Sequence, residues 1–226
     1  MGELFSQFNI LGAFWVTIQL TFFAAIGALV IGTVVAVMRV SPVPILRGFG
    51  TSYVNVFRNT PLTVIMVFTS LGLWQTLGLV LADEQSQHFF KDNNFRLAIV
   101  ALAVYHASFV CESLRSGINT VQPGQAEAAR SIGLTFLQNI RYVVLPQAFR
   151  GAVTPLGNTL IALIKNTTVA SVIGVAEASF VMADMLDARA DVLFLIFIIF
   201  AIGFVILTLP VGLLISAVSE RLAVKR

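Results

Sequence analysis

The residues of this sequence best suited to chemistry are gathered in one polar segment, Gln125 to Gly133, between two long apolar stretches. Glu127 and Arg130 are too costly to leave unpaired in lipid, so we expect the segment to lie in water. Residues 125–132 are good helix formers, and a glycine at position 133 is typical of a helix end. Glu127 in the first turn suits a cation on a partner. The segment therefore predicts a short docking helix with a low profile. Its small residues are Ala126, Ala128 and Ala129.

Polar residues inside the apolar stretches form a second group, and they predict a substrate pathway. Lys165 lies about 14 residues into the fourth stretch, near mid-membrane, where a cation is costly and needs a reason. With Asn166 beside it, Lys165 is the strongest candidate for contact with an anionic substrate. An alternative stays open, in which Lys165 forms a buried ion pair with Glu112 of the third stretch. Arg58, just before Pro61, is a further pathway candidate, although an interfacial anchor is the favoured explanation for it.

Enzymatic chemistry is not predicted. The sequence contains no His-Glu-x-x-His motif, no Ser/His pair at suggestive spacing and no pair of carboxylates within one apolar stretch. His88 and His106 stand apart and Cys111 is the only cysteine, so neither a metal site nor an internal disulfide is expected. The phosphate-binding pattern Gly-x-x-x-x-Gly-Lys-Ser/Thr is also absent. We therefore expect no cofactor in this chain, with any ATP and Mg held by another subunit.

Composition predicts an all-α integral membrane protein. Of the 226 residues, 58% are hydrophobic and 11% are charged, far more apolar than soluble domains. The net charge of +3 does not indicate nucleic-acid binding, because the basic residues are spread among loops. A helix needs about 20 apolar residues to cross the hydrocarbon core. We therefore predict one transmembrane domain over residues 1–226, with five spans and a polar loop at about 120–150. The spans cover about 13–40, 60–81, 95–119, 151–174 and 192–218.

The distribution of Lys and Arg predicts the orientation, because cytoplasmic loops carry an excess of both. Of 14 such residues, Lys91, Arg96 and Arg189 fall on one side and Lys165 within a span. The polar loop shares its side with the other ten, so we expect that loop and the C-terminus in the cytoplasm and the N-terminus outside. These ten are Arg39, Arg47, Arg58, Arg115, Arg130, Arg141, Arg150, Arg221, Lys225 and Arg226.

The polar segment resembles a signature of the permease subunits of bacterial ABC importers. That signature reads Glu-Ala-Ala, three residues, Gly, nine residues, Ile, one residue, Leu-Pro. This chain departs from the signature at one position, where Val143 replaces Ile and keeps a branched apolar side chain. The resemblance implies the MetI-like fold of type I importers, in which this loop is the coupling helix that docks into a separate ATPase subunit. The matching residues are Glu127, Ala128, Ala129, Gly133, Leu145 and Pro146.

Further motifs resemble the polar amino acid branch of that family, whose members carry His, Glu, Gln, Arg or opines. They are Phe57-Arg-Asn-Thr-Pro-Leu62, Glu112-Ser-Leu-Arg-Ser-Gly-Ile118 and Lys165-Asn-Thr-Thr168. Within the branch, Met38-Arg-Val-Ser-Pro42 and Asp92-Asn-Asn-Phe-Arg96 are similar to glutamate-uptake permeases of the actinobacterial type. Glutamate is therefore the expected substrate, with glutamine, aspartate or a basic amino acid as alternatives.

The resemblance also implies partners in the bacterial plasma membrane. A second permease, identical or homologous, two ATP-binding subunits and an extracellular substrate-binding protein would complete the importer, which works by alternating access. An ion-coupled secondary transporter or channel remains the alternative class. Such a protein would not need the loop from Glu127 to Pro146.

Overall fold

The computed structural model describes residues 7–222, and every regular element in that range is helical. Short π-helical stretches cover Phe68–Thr76 and Ile140–Val144, and a 3₁₀ stretch covers Thr167–Ile173. A second 3₁₀ turn, Ala190–Val192, precedes the last helix. The α-helices are α1 (Ile10–Arg39), α2 (Pro44–Asn59), α3 (Leu62–Val67), α4 (Phe89–Ile118), α5 (Pro123–Ser131), α6 (Phe136–Asn139), α7 (Leu145–Gly151), α8 (Val153–Asn166), α9 (Ala178–Ala188) and α10 (Leu193–Leu222).

Between residues 7 and 222, four helical stretches are long and apolar enough to cross a membrane: Ile10–Arg39, Phe89–Ile118, Val153–Ile173 and Ala190–Arg221. A fifth crossing is available if α2 and the helix Leu62–Thr76, which meet at a bend of 102°, form one broken span. The predicted all-α membrane fold is thus confirmed, with four or five spans.

The bend between α2 and α3 lies where the sequence placed the start of the second span. Thr60 is extended, with φ −94° and ψ 132°, because a residue before proline avoids the helical region. The helical path begins earlier than predicted, at Pro44, since α2 is amphipathic and lacks a long apolar run. Side chains replace donors that the break removes: Thr60 Oγ1 donates to the Val56 carbonyl and Asn59 Nδ2 to the Asn55 carbonyl, both at 2.8 Å.

Helices α1 and α4 pack closely, and a small residue permits their approach. A Cβ on Gly32 would lie 2.7 Å from Val110 Cβ and 2.8 Å from the Ala107 carbonyl oxygen. A small residue is therefore needed at this position for the two helices to approach closely. The two helices form the frame against which the shorter elements are placed.

Helix α9 occupies a segment that the sequence placed in an external loop. Its N-cap is Glu177, whose carboxylate accepts hydrogen bonds from the backbone N–H groups of Ser179 and Phe180, both at 2.9 Å. Ala178 N–H donates to Thr17 Oγ1 of α1 at 3.2 Å, which fixes the helix start against the first span. Glutamate is not among the preferred N-cap residues, so no clear start signal marks this helix. Its buried side chain Met185 joins a core cluster with α1 and α10.

Candidate functional site

The predicted docking segment forms α5, and its end is a Schellman motif. Leu134 N–H donates to the Ala129 carbonyl at 3.1 Å and Gly133 N–H to the Arg130 carbonyl at 2.9 Å. Gly133 has φ +88°, a conformation that residues with a Cβ rarely adopt. The glycine is therefore required to end α5 and turn the chain toward α6.

The exposed face of α5 differs from the predicted one at a single alanine. Glu127, Ala128 and Gly133 are exposed, as a docking surface needs. Ala129, however, is only 6% exposed and packs within the chain, so it supports the helix and offers no surface to a partner. The reason is helical geometry, since residues one position apart point about 100° away from each other.

Two polar contacts hold α5 on the segment that follows it. Asn139 is buried, and its Nδ2 donates to the Ala126 carbonyl at 3.0 Å. Gln147 Nε2 donates to Gln125 Oε1 at 2.6 Å. Helix α5 is thus tied to the end of α6 and to α7, which leads directly into the span that begins with α8.

Exposed apolar side chains surround α5, and the sequence analysis did not single them out. Ile132 is 80% exposed, Leu137 68% and Tyr142 62%. Large apolar groups exposed beside charged ones are typical of a protein–protein interface. These residues are hard to recognise from the sequence, because each is a single apolar residue in a segment that also contains polar residues. Whether its side chain is buried depends on the turn at Gly133.

Helix α8 carries a polar face inside a membrane span. Thr154, Asn158 and Lys165 are exposed and are spaced four and seven residues apart, which places them on one side of the helix. Within residues 7–222, neither the Asn158 amide nor the Lys165 ammonium group has a hydrogen bond or ion pair. Because such groups are costly in lipid, this face is suited to a polar pathway or a partner subunit.

A cavity of about 250 Å³ adjoins this polar face, and the predicted pathway residue Asn166 borders it. Asn166 Nδ2 lies 3.2 Å from Nε2 of His106, a buried residue of α4. From the sequence, His106 was a candidate only for a metal site, and Asn158 was not predicted to have a role. Both residues are polar groups within predicted spans, and the expectation that such groups have a functional role applies to them as well. The lining residues are His106, Phe109, Asn158, Thr159, Ala162 and Asn166.

Glu112 is paired with arginines from three helices. It forms an ion pair with Arg39 at the end of α1, and lies 3.9 Å from Arg58 Nη1 and 3.8 Å from Arg115 Nη1. The alternative of a Glu112–Lys165 ion pair is wrong for the described part of the chain. Two predicted pathway residues, Arg58 and Glu112, are brought together, but in a cluster separate from the cavity lined by Asn166.

Comparison with known proteins decides the family. The sequence model of the inner-membrane component of binding-protein-dependent transport systems matches residues 28–224. The chain belongs to this family. It is thus a transport permease, and a multi-pass protein of the plasma membrane rather than an enzyme.

Individual relatives agree with this assignment. The glutamate transport system permease protein GluC of Corynebacterium glutamicum is 59% identical over 218 residues, which cover 96% of each chain. A crystal structure of an amino acid ABC transporter with histidines matches with a TM-score of 0.77 and 32% identity, covering 94% of this chain and 93% of that one. The inward-facing MetNI methionine ABC transporter matches with a TM-score of 0.72 at 21% identity, covering 95% and 96%. The MetI-like fold predicted from the sequence is confirmed.

Proposed function

We propose that this chain is the membrane-spanning permease of an ATP-driven importer that carries L-glutamate into the cell. The observation that carries the proposal is the polar face of α8, where Lys165 has no partner of its own within the described residues. A cation inside a span is suited to an anionic substrate, and glutamate carries one net negative charge near neutral pH. The glutamate transport function named for the relative from Corynebacterium glutamicum supports the same substrate.

The pathway runs along the polar face of α8 in this proposal. Lys165 attracts the carboxylates, and Asn166 with Asn158 supplies hydrogen bonds beside it. Arg58 and Glu112 act differently from the sequence expectation, since the Glu112 carboxylate is paired with both Arg58 and Arg39. Their cluster ties together the ends of α1 and α2 and one face of α4, and so bounds the pathway without contacting the substrate.

The docking helix α5 couples this pathway to ATP. Glu127, Ala128 and Gly133 face one of two ATP-binding subunits, which hold ATP and Mg, while Ala129 keeps α5 on its own chain. Ile132 adds apolar contact to the same interface. A second permease, homologous or identical, and an extracellular substrate-binding protein complete the assembly. The N-terminus lies outside and the C-terminus in the cytoplasm.

The test is uptake of labelled glutamate by cells that express this chain with its neighbouring subunits, with and without ATP depletion. Unlabelled glutamate, aspartate, glutamine and arginine serve as competitors, and cells without this chain serve as the control. We expect uptake that requires ATP and is blocked most strongly by glutamate. Stronger competition by another amino acid would overturn the substrate and leave the importer. Uptake that continues without ATP would overturn the importer itself.

A further inference from the structure

His106 and Asn166 meet across two helices at the edge of the cavity beside the polar face of α8. His106 is 1% exposed, and both of its ring nitrogens have partners. Nδ1 lies 3.0 Å from the Leu102 carbonyl oxygen, and Nε2 lies 3.2 Å from Nδ2 of Asn166. The ring is thus held between its own helix and α8.

The chemistry of these partners fixes the proton on the ring. A carbonyl oxygen only accepts, so Nδ1 of His106 carries the hydrogen that it donates to Leu102. A neutral imidazole has one such hydrogen, and Nε2 is therefore an acceptor. The amide NH₂ of Asn166 donates to it.

The same contact fixes the orientation of the Asn166 amide. An asparagine amide has donors on one side and an acceptor on the other, and a free amide can rotate to present either. With its NH₂ turned to His106, Asn166 keeps Oδ1 free, because no other residue in the described range bonds to that amide. Asn166 lines the cavity, whose volume is several times the roughly 30 Å³ that one water molecule occupies in the liquid.

We propose that His106 is a positioning residue that holds Asn166 Oδ1 as the acceptor for the α-ammonium group of the transported amino acid. This inference rests on the proposed function and deepens it, since it assigns one end of the substrate. An ammonium group carries three donors and forms charge-assisted hydrogen bonds with carbonyl oxygens. A reversed amide would present NH₂ to that ammonium and repel it.

The experiment measures binding to the purified complex of this permease with its partner permease and ATP-binding subunits, without the external binding protein. Two probes are compared: glutamate, and glutarate, which keeps both carboxylates but lacks the ammonium group. Dissociation constants are measured for wild type, for His106→Phe, which keeps a ring but removes the acceptor, and for His106→Gln, which restores one. Ser108→Ala is the matched control, because Ser108 is buried in the same helix, bonds to the Tyr105 carbonyl and does not line the cavity.

We expect His106→Phe to weaken glutamate binding about tenfold, as the loss of a hydrogen bond to a charged group predicts, and to leave glutarate binding unchanged. His106→Gln should recover part of the loss, and Ser108→Ala should change neither probe. Asn166→Leu, which removes Oδ1 directly, should repeat the selective loss and provides a second variant if His106→Phe does not assemble. Equal weakening of both probes, or unchanged glutamate binding in both variants, would overturn the positioning role.

Failure of the proposed substrate is distinguished in the wild-type complex. If wild type binds another amino acid better than glutamate, the glutamate assignment is overturned. The variants are then judged on that amino acid and its analogue without the ammonium group. The positioning role is overturned only if the selective loss is absent from that pair as well.

Discussion

At the level of single side chains, Lys165 carries most of the functional argument. It lies on α8 within the stretch Val153–Ile173, which is apolar enough to span a membrane, and it is exposed on the isolated chain. Lysine at such a depth is costly unless water, a counter-ion or a substrate surrounds it. The described ion pairs engage arginines with Glu112 and with Asp191, which leaves the Lys165 ammonium group available to a substrate.

Replacing Lys165 with Met should selectively impair transport of an acidic substrate. Met keeps the length of the side chain and removes the charge, so assembly should persist while glutamate transport falls about tenfold relative to glutamine transport. The measurement is initial uptake of both amino acids in proteoliposomes at saturating, loaded binding protein, with the yield of assembled complex measured by size exclusion. Lys91→Met is the matched control, because Lys91 is exposed near the start of α4. If the ratio of glutamate uptake to glutamine uptake is unchanged in Lys165→Met, Lys165 has a structural role and does not contact the substrate.

Glu177, the N-cap of α9, is the side chain for which the structure predicts a pH effect. Burial raises its pKa from 4.5 to about 7, and the hydrogen bonds from Ser179 and Phe180 offset only part of that shift. The carboxyl group lies beyond the stretch Val153–Ile173 and is fully buried. Because the folded state holds this proton more tightly than the unfolded state, folding is favoured below pH 4.5 and loses that contribution as the pH rises to about 7.

We therefore expect the purified protein to be more stable at pH 5 than at pH 8. The pKa difference corresponds to at most roughly 3 kcal/mol of unfolding free energy. Glu177→Gln stays neutral at every pH and should remove most of the difference. Thermal unfolding at both pH values is the measurement. Asp83→Asn provides the control, since Asp83 also caps a turn, by accepting from Gln85 N–H, but is exposed. A pH dependence that persists in Glu177→Gln would assign it to other groups.

Predictability at the residue level depended on how far apart the partners lie in sequence. Gly133 and Glu127 were predicted because helix formers and a terminal glycine are local signals. The partners of Glu112 were not, because Arg39 lies 73 residues away and only the packing of α1 on α4 brings the two together. His106 and Asn158 were missed although they lie in apolar runs. Like Lys165, both are polar residues within an apolar run, where such groups indicate a function. The contact that assigns their role, however, exists only in the folded chain.

At the level of elements, the proposed coupling role of α5 depends on how this helix ends. Gly133 turns the chain at φ +88°, and the two hydrogen bonds of the Schellman motif close the helix around it. No heavy atom lies within 4 Å of a Cβ placed on Gly133, so a substitution there is opposed by backbone strain rather than by a clash. The left-handed conformation costs a residue with a Cβ about 1–2 kcal/mol.

Gly133→Ala should uncouple transport from ATP hydrolysis without removing the protein from the membrane. The strain is expected to shift α5, which carries Glu127, and Ile132 at its end, relative to the proposed ATP-binding subunit. Glu127→Ala should act in the same direction by removing a charge from that interface. The measurement is the ratio of amino acids transported to ATP hydrolysed. Gly48→Ala is the control, because Gly48 lies in α2 with no atom within 4 Å and no positive φ. An unchanged ratio in both coupling variants would remove α5 from the coupling role.

Helices with conflicting signals were the least predictable elements. The first, third and fifth apolar stretches correspond to α1, α4 and α10 because long apolar runs leave few alternatives. By contrast, α2 has polar residues on one face, including Arg47 and Asn55, and its run of apolar residues is too short to read as a span. Helix α9 was not predicted for a different reason. Its N-cap Glu177 and the hydrogen bond from Ala178 N–H to Thr17 Oγ1 depend on tertiary contacts.

At the level of the whole molecule, the proposed orientation can be tested with single cysteines. The native Cys111 is buried, so it should contribute little background labelling. We expect Gln87→Cys, between the second and third spans, to react with a membrane-impermeant maleimide on intact cells. Ser131→Cys, at the end of α5, should react only after permeabilisation. The side chains of Gln87 and Ser131 are both exposed, so a cysteine at either position is accessible to the reagent. The reverse pattern would invert the topology and place the docking helix outside.

The Glu112 cluster also has a consequence for the order in which the protein is made. During synthesis from the N-terminus, Arg39 and Arg58 leave the ribosome before the carboxylate that neutralises them, and the separation from Arg39 is 73 residues. In the proposed orientation, we expect these arginines to stay unpaired at the cytoplasmic face until α4 is inserted. Arrival of Glu112 then draws both ends together against α4. The packing of the ends of α1 and α2 through Glu112 can therefore be completed only after α4 has been made.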